Sequence, residues 1–212
     1  EPILAHHDHD KVETYCYAEV AQPDEVTARM QSLADHWCFT VGMSDAQLAQ
    51  RIHDDQIDIL IDLAGHTDKN RLVAFTYKPA PIQATYLGYF TGTGLDTMDY
   101  WISDAVLTPD DTVEQTVESI YNLNRCCLNY TPPVDAPEVT LPENGTNVTF
   151  GSFNDLSKVS DEAIELWSEV LNATPSSHLL LKARQLVDPD VQKRLLEKFS
   201  SHGLTSDNIK LA

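Results

Sequence analysis

The chain is poor in positive charge, and this shortage argues against whole classes of partner. It has 14 Lys and Arg against 33 Asp and Glu in 212 residues, which gives a formal net charge of −19. Binding to nucleic acid draws on a surplus of Lys and Arg that neutralises phosphates and releases counterions. Anionic membrane surfaces attract the same kind of basic patch. The composition therefore predicts that neither nucleic acid nor a membrane is a partner, and that the surface is acidic and self-repelling.

Long apolar runs and closely spaced cysteine pairs are lacking as well. No apolar run approaches the ~20 residues that a membrane-spanning helix needs. The cysteines Cys16, Cys38, Cys126 and Cys127 have no CxxC spacing, which argues against structural zinc and favours reduced thiols. The sequence starts at Glu1 without a signal-peptide pattern. We therefore expect a cytoplasmic protein, and a segment of a longer chain.

A histidine-rich stretch near the start looks like a set of metal ligands. It consists of His6, His7, Asp8, His9 and Asp10. Clusters of this kind at the end of a helix are usually solvated rather than bound to a metal ion. The sequence therefore predicts no bound metal.

Strand and helix patterns alternate along the chain, which predicts an α/β fold with parallel sheets and right-handed crossovers. Strands are predicted at residues 12–20, 36–41, 57–63, 82–88, 99–105, 118–123, 148–153, 178–182 and 209–211. Helices are predicted at residues 23–35, 45–55, 70–78, 160–172 and 188–201. The run IDILIDL at 57–63 is apolar enough to predict a parallel, buried strand.

A proline-rich stretch divides the pattern into two parts. Residues 131–146 contain four prolines and no helical period, which predicts a linker. It separates an N-terminal domain at 1–130 from the start of a second domain at 147–212. The second pattern stops after about three strands, too few for a complete doubly wound domain.

The most informative stretch is PAPIQATYLGY at residues 79–89, followed by the loop FTGTG at 90–94. It predicts a short apolar strand that opens into a loop rich in glycine and threonine. Ligands of open α/β sheets bind at the carboxyl ends of the strands. Glycine in such a loop lets the backbone approach a ligand closely. We therefore expect a binding site at this edge.

Four blocks together resemble the catalytic region of the O-linked N-acetylglucosamine transferases and their bacterial, Spindly-like relatives. They are DILIDLAGHT at 58–67, KPAPIQATYLGY at 78–89, MDY at 98–100 and FNDLSK at 153–158. The resemblance implies two Rossmann-like domains facing a cleft, the type B glycosyltransferase arrangement. In this chain the second domain is expected to be incomplete, and the first to lack its first strand.

The resemblance also implies a reaction. N-acetylglucosamine would pass from UDP-N-acetylglucosamine, a co-substrate, to Ser or Thr hydroxyls of a protein acceptor, without a metal or another cofactor. Tetratricopeptide repeats would precede this region in the parent chain, and the isolated segment would be inactive. Two alternatives within the family stay open: a UDP-glucose-dependent enzyme that glucosylates Asn, and a non-catalytic binding module. An unrelated Rossmann-like domain is a third.

By the resemblance, the residue that contacts the donor diphosphate is Lys158. A reaction without a metal needs a fixed positive charge where the leaving UDP accumulates negative charge. Ser160 is predicted to cap the following helix, whose positive N-terminus would add to the same field. Asn154 and Asp155 precede the lysine and are expected on the donor side. A carboxylate at 155 would repel a diphosphate unless it points away.

The remaining candidates follow two strands of the N-terminal domain. The resemblance places Leu87, Gly88, Tyr89 and Thr91 on the donor and sugar side. It places His66, Thr67 and Arg71 on the acceptor side, although His66 stands where the family has Tyr. The family's Pro-Gly-Thr-Ser is Phe-Thr-Gly-Thr at residues 90–93 here, so the contacts of this loop are expected to differ.

Overall fold

The computed structural model describes residues 1–113, 115–133, 135–140 and 147–212. The chain forms two compact units, Glu1–Ala136 and Pro137–Ala212. Each unit is built from helices and parallel strands, which confirms the predicted α/β class. The predicted linker at 131–146 includes residues 134 and 141–146, which lie outside the described residues.

The first unit contains a two-stranded and a four-stranded sheet, both parallel. The smaller sheet pairs β1 (Tyr15–Ala18) with β2 (His36–Phe39). The larger has the order β3 (Ile59–Asp62), β4 (Ile82–Tyr86), β5 (Tyr100–Asp104), β6 (Ser119–Leu123). The helices of this unit are α1 (Pro2–His6), α2 (Glu25–Leu33), α3 (Asp45–Asp54) and α4 (Leu72–Thr76).

Helix α3 begins where the sequence predicts. The Ser44 hydroxyl accepts a hydrogen bond from the Gln47 N–H, and the Gln47 side chain accepts one from the Ser44 N–H. This reciprocal capping box satisfies two of the backbone donors that a helix start leaves without partners. Leu48 and Ile52 then fall on one face of the helix and are buried, as their spacing predicts.

The core of the first unit lies between β3 and the helices α3 and α4. Leu60 of β3 packs in one cluster with Ile52 of α3 and Phe75 of α4. The opposite face of β3 is different, because Ile59 is 55% and Ile61 is 44% exposed. The prediction that this strand is buried is therefore wrong for one of its faces, since the two helices cover only the side that carries Leu60.

The second unit is a three-stranded parallel sheet in the order β7 (Thr149–Ser152), β8 (His178–Leu181), β9 (Ile209–Leu211). Its helices are α5 (Asp161–Ala173) and α6 (Pro189–Ser201), with short 3-10 turns at Leu156–Lys158 and Arg184–Val187. The core is formed by apolar side chains of β8, β9 and both helices. Its buried members include Ile164, Leu171, Leu181, Phe199 and Ile209.

Across the described parts of the chain, we find no helix that combines the length and the apolar character needed to cross a membrane.

Candidate functional site

Strands β3 and β4 end side by side, because Asp62 and Thr85 are partners in the parallel register. The buried Asp62 carboxylate accepts hydrogen bonds from the backbone N–H groups of Ala64 (3.1 Å) and Gly65 (2.9 Å), and from the Thr85 hydroxyl (3.0 Å). Hydrogen bonds to a buried carboxylate are stronger than neutral ones. The side chain thus fixes the turn after β3 relative to β4.

The chain leaves β4 through a strained turn. Leu87 has a φ of +65°, and the Gly88 N–H donates to the Tyr86 carbonyl over 2.7 Å. A three-residue turn with positive φ at its centre is rare, and a branched residue in this region costs energy. Backbone strain of this kind clusters at ligand sites, where the surrounding structure holds it in place.

Gly88 is required by a close backbone approach. A Cβ at this position would lie 1.8 Å from the carbonyl oxygen and 2.5 Å from the carbonyl carbon of Leu63. Since both are backbone atoms, no side-chain rotation can relieve such a clash. The turns after β3 and β4 therefore press against each other, and only glycine fits at residue 88.

The structure brings His66 and Tyr89 together across these two turns. Their rings meet edge to face with centroids 5.5 Å apart. Gly65, with φ +53°, makes room for Tyr89, because a Cβ there would lie 2.3 Å from the Tyr89 Cβ. One donor-side and one acceptor-side candidate thus lie in direct contact.

His66 also reaches the loop that follows Tyr89. Its Nε2 lies 2.9 Å from the Thr93 carbonyl oxygen, so this nitrogen carries the proton and donates. Thr93 donates in turn from its N–H and its hydroxyl to Glu118 Oε1, each over 2.5 Å. Glu118 is buried directly before β6 and thereby ties the loop to the next strand.

Arg71 is engaged inside the first unit. Its guanidinium forms ion pairs with Glu19 (2.5 Å) and Asp45 (2.7 Å), and donates to the Met43 carbonyl over 2.9 Å. Paired this way, the Arg71 side chain is only 18% exposed. These contacts give Arg71 a structural role, while its predicted contact with an acceptor stays a prediction.

The remaining candidates of the first unit lie in the same two turns. The Thr67 hydroxyl donates to the Ala64 carbonyl over 2.7 Å, which closes the turn after β3. Thr91 is half-buried in the loop after Tyr89. Among the residues that the structure describes, no group of three or more potential metal ligands lies in this region.

Lys158 lies in the second unit, at the end of the 3-10 turn Leu156–Lys158. It is exposed, and within the described ranges its Nζ forms no hydrogen bond and no ion pair within 4.0 Å. Two residues later the Ser160 hydroxyl accepts from the Ala163 N–H (3.3 Å) and caps the 13-residue helix α5, as predicted. The ammonium thus stands beside a positive helix terminus, a combination suited to a phosphate.

The Asp155 carboxylate already accepts hydrogen bonds from other groups of the second unit. Its Oδ1 accepts from the Ser157 N–H (2.9 Å), and its Oδ2 accepts from the Gln185 side-chain amide (2.6 Å). These hydrogen bonds, led by the one from the Ser157 backbone, lower the pKa of the carboxyl below its usual value. Asn154 is exposed and donates to the Ser152 hydroxyl over a long 3.4 Å.

Sequence reasoning missed the residues that hold the two turns. Asp62, Thr93 and Glu118 belong to no recognisable motif, and the hydrogen bonds by which they join neighbouring strands and loops span 23 to 27 residues. One signal was available for Asp62, since the run IDILIDL predicts a buried strand and a buried carboxylate needs hydrogen-bond partners.

Comparison with known proteins shows the family of the chain. Residues 2–128 match the model of Glycosyl transferase family 41. The chain is 35% identical, over its whole length, to the probable UDP-N-acetylglucosamine–peptide N-acetylglucosaminyltransferase SPINDLY of Arabidopsis thaliana. It is 31% identical, over 84% of its length, to the Arabidopsis protein of the same description named SEC.

A solved structure shows the same fold. A mutant of the O-GlcNAc transferase of Thermobaculum terrenum superposes on the whole chain with a TM-score of 0.90 and 34% identity. The chain covers 40% of that structure, 24% of SPINDLY and 19% of SEC. The resemblance inferred from the sequence is confirmed, and the chain belongs to glycosyl transferase family 41.

Proposed function

We propose that this chain is part of an enzyme that transfers N-acetylglucosamine from UDP-N-acetylglucosamine to Ser and Thr hydroxyls of proteins. The support is its membership of family 41, whose Arabidopsis relatives are named for that donor and for peptide acceptors. The observation that carries the proposal is Lys158, an exposed ammonium before a capped helix.

The reaction would be a displacement at the anomeric carbon of the sugar. The acceptor oxygen forms a bond to this carbon while the bond to the UDP oxygen breaks, and the acceptor proton is lost to a base or to solvent. Negative charge accumulates on the departing diphosphate. A preorganised positive group at that position stabilises the transition state more than the ground state, which is what accelerates a reaction. We assign this role to Lys158.

The turns after β3 and β4 would contribute positioning rather than charge. A sugar held by rigid backbone loses less entropy at the reaction step than one held by mobile loops. The Leu63–Gly88 contact and the His66–Thr93 hydrogen bond supply such rigidity. We assign Leu87, Gly88, Tyr89 and Thr91 to the donor side and His66 and Thr67 to the acceptor side, with no metal taking part.

The test uses the full-length protein, because the chain spans about a quarter of the curated relatives' length. Calorimetric titration with UDP should show saturable binding, weakened at least ~10-fold, or about 1.4 kcal/mol, by Lys158→Ala. The matched control is Lys193→Ala, an exposed lysine of α6 in the same unit, which should leave the UDP affinity unchanged. Absence of UDP binding by the wild-type protein would favour a non-catalytic module.

Donor and acceptor are distinguished by a second experiment. The full-length protein is incubated with UDP-N-acetylglucosamine or UDP-glucose and a protein extract, and the products are mapped by mass spectrometry. Transfer of N-acetylglucosamine to Ser or Thr supports the proposal, whereas glucose on Asn supports the alternative enzyme. The cytoplasm stays the predicted location, and upstream tetratricopeptide repeats and inactivity of the isolated segment stay predictions.

A further inference from the structure

We propose that His7, His9 and Asp35 form a binding site for one divalent transition-metal ion, with Zn²⁺ as its probe. One ligand atom from each residue lies within 4.8 Å of the other two. The sequence suggested a different set, confined to residues 6–10, and predicted no metal. The third ligand comes instead from Asp35, which lies between α2 and β2, 26 residues after His9.

His7 offers the strongest single argument. Its Nδ1 lies 2.8 Å from the Leu4 carbonyl oxygen, so Nδ1 carries a proton, and in the neutral ring Nε2 then offers a lone pair. The side chain is only 10% exposed, and its buried Nε2 has no hydrogen-bond partner. Metal-binding histidines have this arrangement, because a backbone carbonyl that accepts from one ring nitrogen directs the other toward the ion.

The distances among the three groups suit a small cation. His9 Nδ1 lies 2.9 Å from Asp35 Oδ1, and His7 Nε2 lies 3.6 Å from Asp35 Oδ2. A tetrahedral zinc site with bonds of 2.0–2.2 Å places its ligand atoms about 3.3–3.6 Å apart. The distance from His7 to Oδ2 lies at the upper end of that range and the distance from His9 to Oδ1 is shorter, so small rotations of the side chains would bring one carboxylate oxygen into position for the ion.

Hydrogen bonds orient the Asp35 carboxylate, as they do for carboxylates that bind metal ions. Its Oδ2 accepts hydrogen bonds from the Thr14 N–H and the Thr14 hydroxyl, both 2.8 Å long. Outer contacts of this kind orient metal ligands and raise their affinity. They hold Oδ2, whereas Oδ1 accepts a hydrogen bond from His9 Nδ1, whose proton the ion would replace.

The site is open to solvent on one side. His9 is 61% exposed, and a surface depression beside it is lined by Asp10, Lys11, Glu13 and Asp35. Two imidazoles and one carboxylate leave a fourth position of a tetrahedral ion for water. Imidazole ligands favour Zn²⁺, Cu²⁺ and Ni²⁺ over Mg²⁺ and Ca²⁺. The bound ion would link the segment after α1 to the α2–β2 junction.

The test is a calorimetric titration of chelator-treated, dialysed protein with zinc chloride. We expect one ion per chain at micromolar or lower Kd, and a loss of affinity of at least ~10-fold in His9→Ala and in Asp35→Asn. Two controls should bind as the wild type does. His36→Ala removes an exposed histidine that pairs with Glu13, and Cys126→Ser removes an exposed thiol that could itself take zinc.

A second measurement does not depend on how the variants fold. Co²⁺ added to the wild-type protein should give the strong visible absorption of a four-coordinate site, and Zn²⁺ should displace it with one equivalent. Zinc should also raise the melting temperature of the wild type by several degrees. Absence of saturable zinc binding, or equal affinity in the wild type and His9→Ala, would overturn the proposal.

Discussion

Each unit carries one stretch of candidate residues, and the two stretches differ in how firmly their own unit holds them. The turns after β3 and β4 are held by buried side chains and by the backbone contact between Leu63 and Gly88. Lys158, in the second unit, is exposed and has no ion pair among the residues that the structure covers. The fold therefore fixes the backbone of two turns in the first unit and leaves an exposed ammonium group in the second.

This difference matches the tasks that we assign to each stretch. A surface that orients a sugar must be rigid before the ligand arrives, since ordering it afterwards would cost binding energy. An ammonium that neutralises a diphosphate does better without a partner, because an internal carboxylate would compete with the ligand. If the contrast holds, substitutions that disturb the turns after β3 and β4 should destabilise the fold, whereas replacing Lys158 should not.

The largest effect is expected for Gly88→Ala. The new Cβ would lie 1.8 Å from the Leu63 carbonyl oxygen, so the backbone of one of the two turns must move. We expect a loss of about 4 kcal/mol or more in the free energy of unfolding, because losses of this size arise from severe overpacking of buried atoms. Chemical denaturation followed by circular dichroism measures it.

The matched control for that variant is Gly94→Ala in the same loop. Gly94 has φ +74°, but a Cβ there would have no neighbour within 4 Å. Only the cost of a left-handed alanine applies, about 1–2 kcal/mol. Equal losses in the two variants would show that the Leu63 contact does not govern the turn.

A smaller effect is expected for Glu118→Ala. The change removes the acceptor of the Thr93 N–H and hydroxyl, both of which are buried with it. Leaving such donors without partners costs about 1–3 kcal/mol. We expect a loss of about 2 kcal/mol, together with faster hydrogen exchange of the Thr93 amide. An unchanged exchange rate would contradict a role for Glu118 in holding the loop.

Arg71→Met is expected to cost about 1–2 kcal/mol, since its ion pairs with Glu19 and Asp45 are partly exposed and screened by solvent. The pKa of Glu19 is lowered first by the hydrogen bond from Thr40 and then by Arg71. A depressed carboxyl pKa stabilises the fold above the pKa of the unfolded chain, and this contribution disappears as the pH falls through the folded value.

The pH dependence separates this ion pairing from simple packing. In Arg71→Met the Glu19 carboxyl should protonate at a higher pH, closer to its value in the unfolded chain. Less stability should then be lost on acidification than in the wild type, and the two stability curves should converge toward low pH. Melting temperatures recorded between about pH 3 and pH 7 cover the range in which Glu titrates. Curves that differ by a constant offset would show that packing, rather than charge, explains the loss.

The parts of the structure that depend on local rules were predictable from the sequence. Ser44 and Ser160 cap helices as their spacing predicts, and the alternating pattern gives parallel strands in both units. These features rest on backbone chemistry within a few residues. The same reasoning placed Leu87 and Gly88 at the end of β4, although it assigned them to the strand rather than to the turn.

The parts that depend on distant contacts were not predictable. The Leu63–Gly88 approach and the His66–Thr93 bond join residues 25 and 27 positions apart, and Asp35 joins His9 across 26. Hydrophobic pattern alone also misjudged β3, because an apolar run cannot tell whether one face or two are covered. Such information resides in tertiary packing, which no short window of sequence contains.

The smallest change in stability is expected for Lys158→Ala. Because its ammonium has no ion pair within the described ranges and the side chain is exposed, removing it should change the free energy of unfolding by no more than about 0.5 kcal/mol. The same variant should lose UDP affinity in the full-length protein. Denaturation and calorimetry on one preparation measure both quantities. A destabilisation similar to that of Glu118→Ala would mean that the lysine supports the fold, and its loss of UDP binding would then no longer identify a contact with the diphosphate.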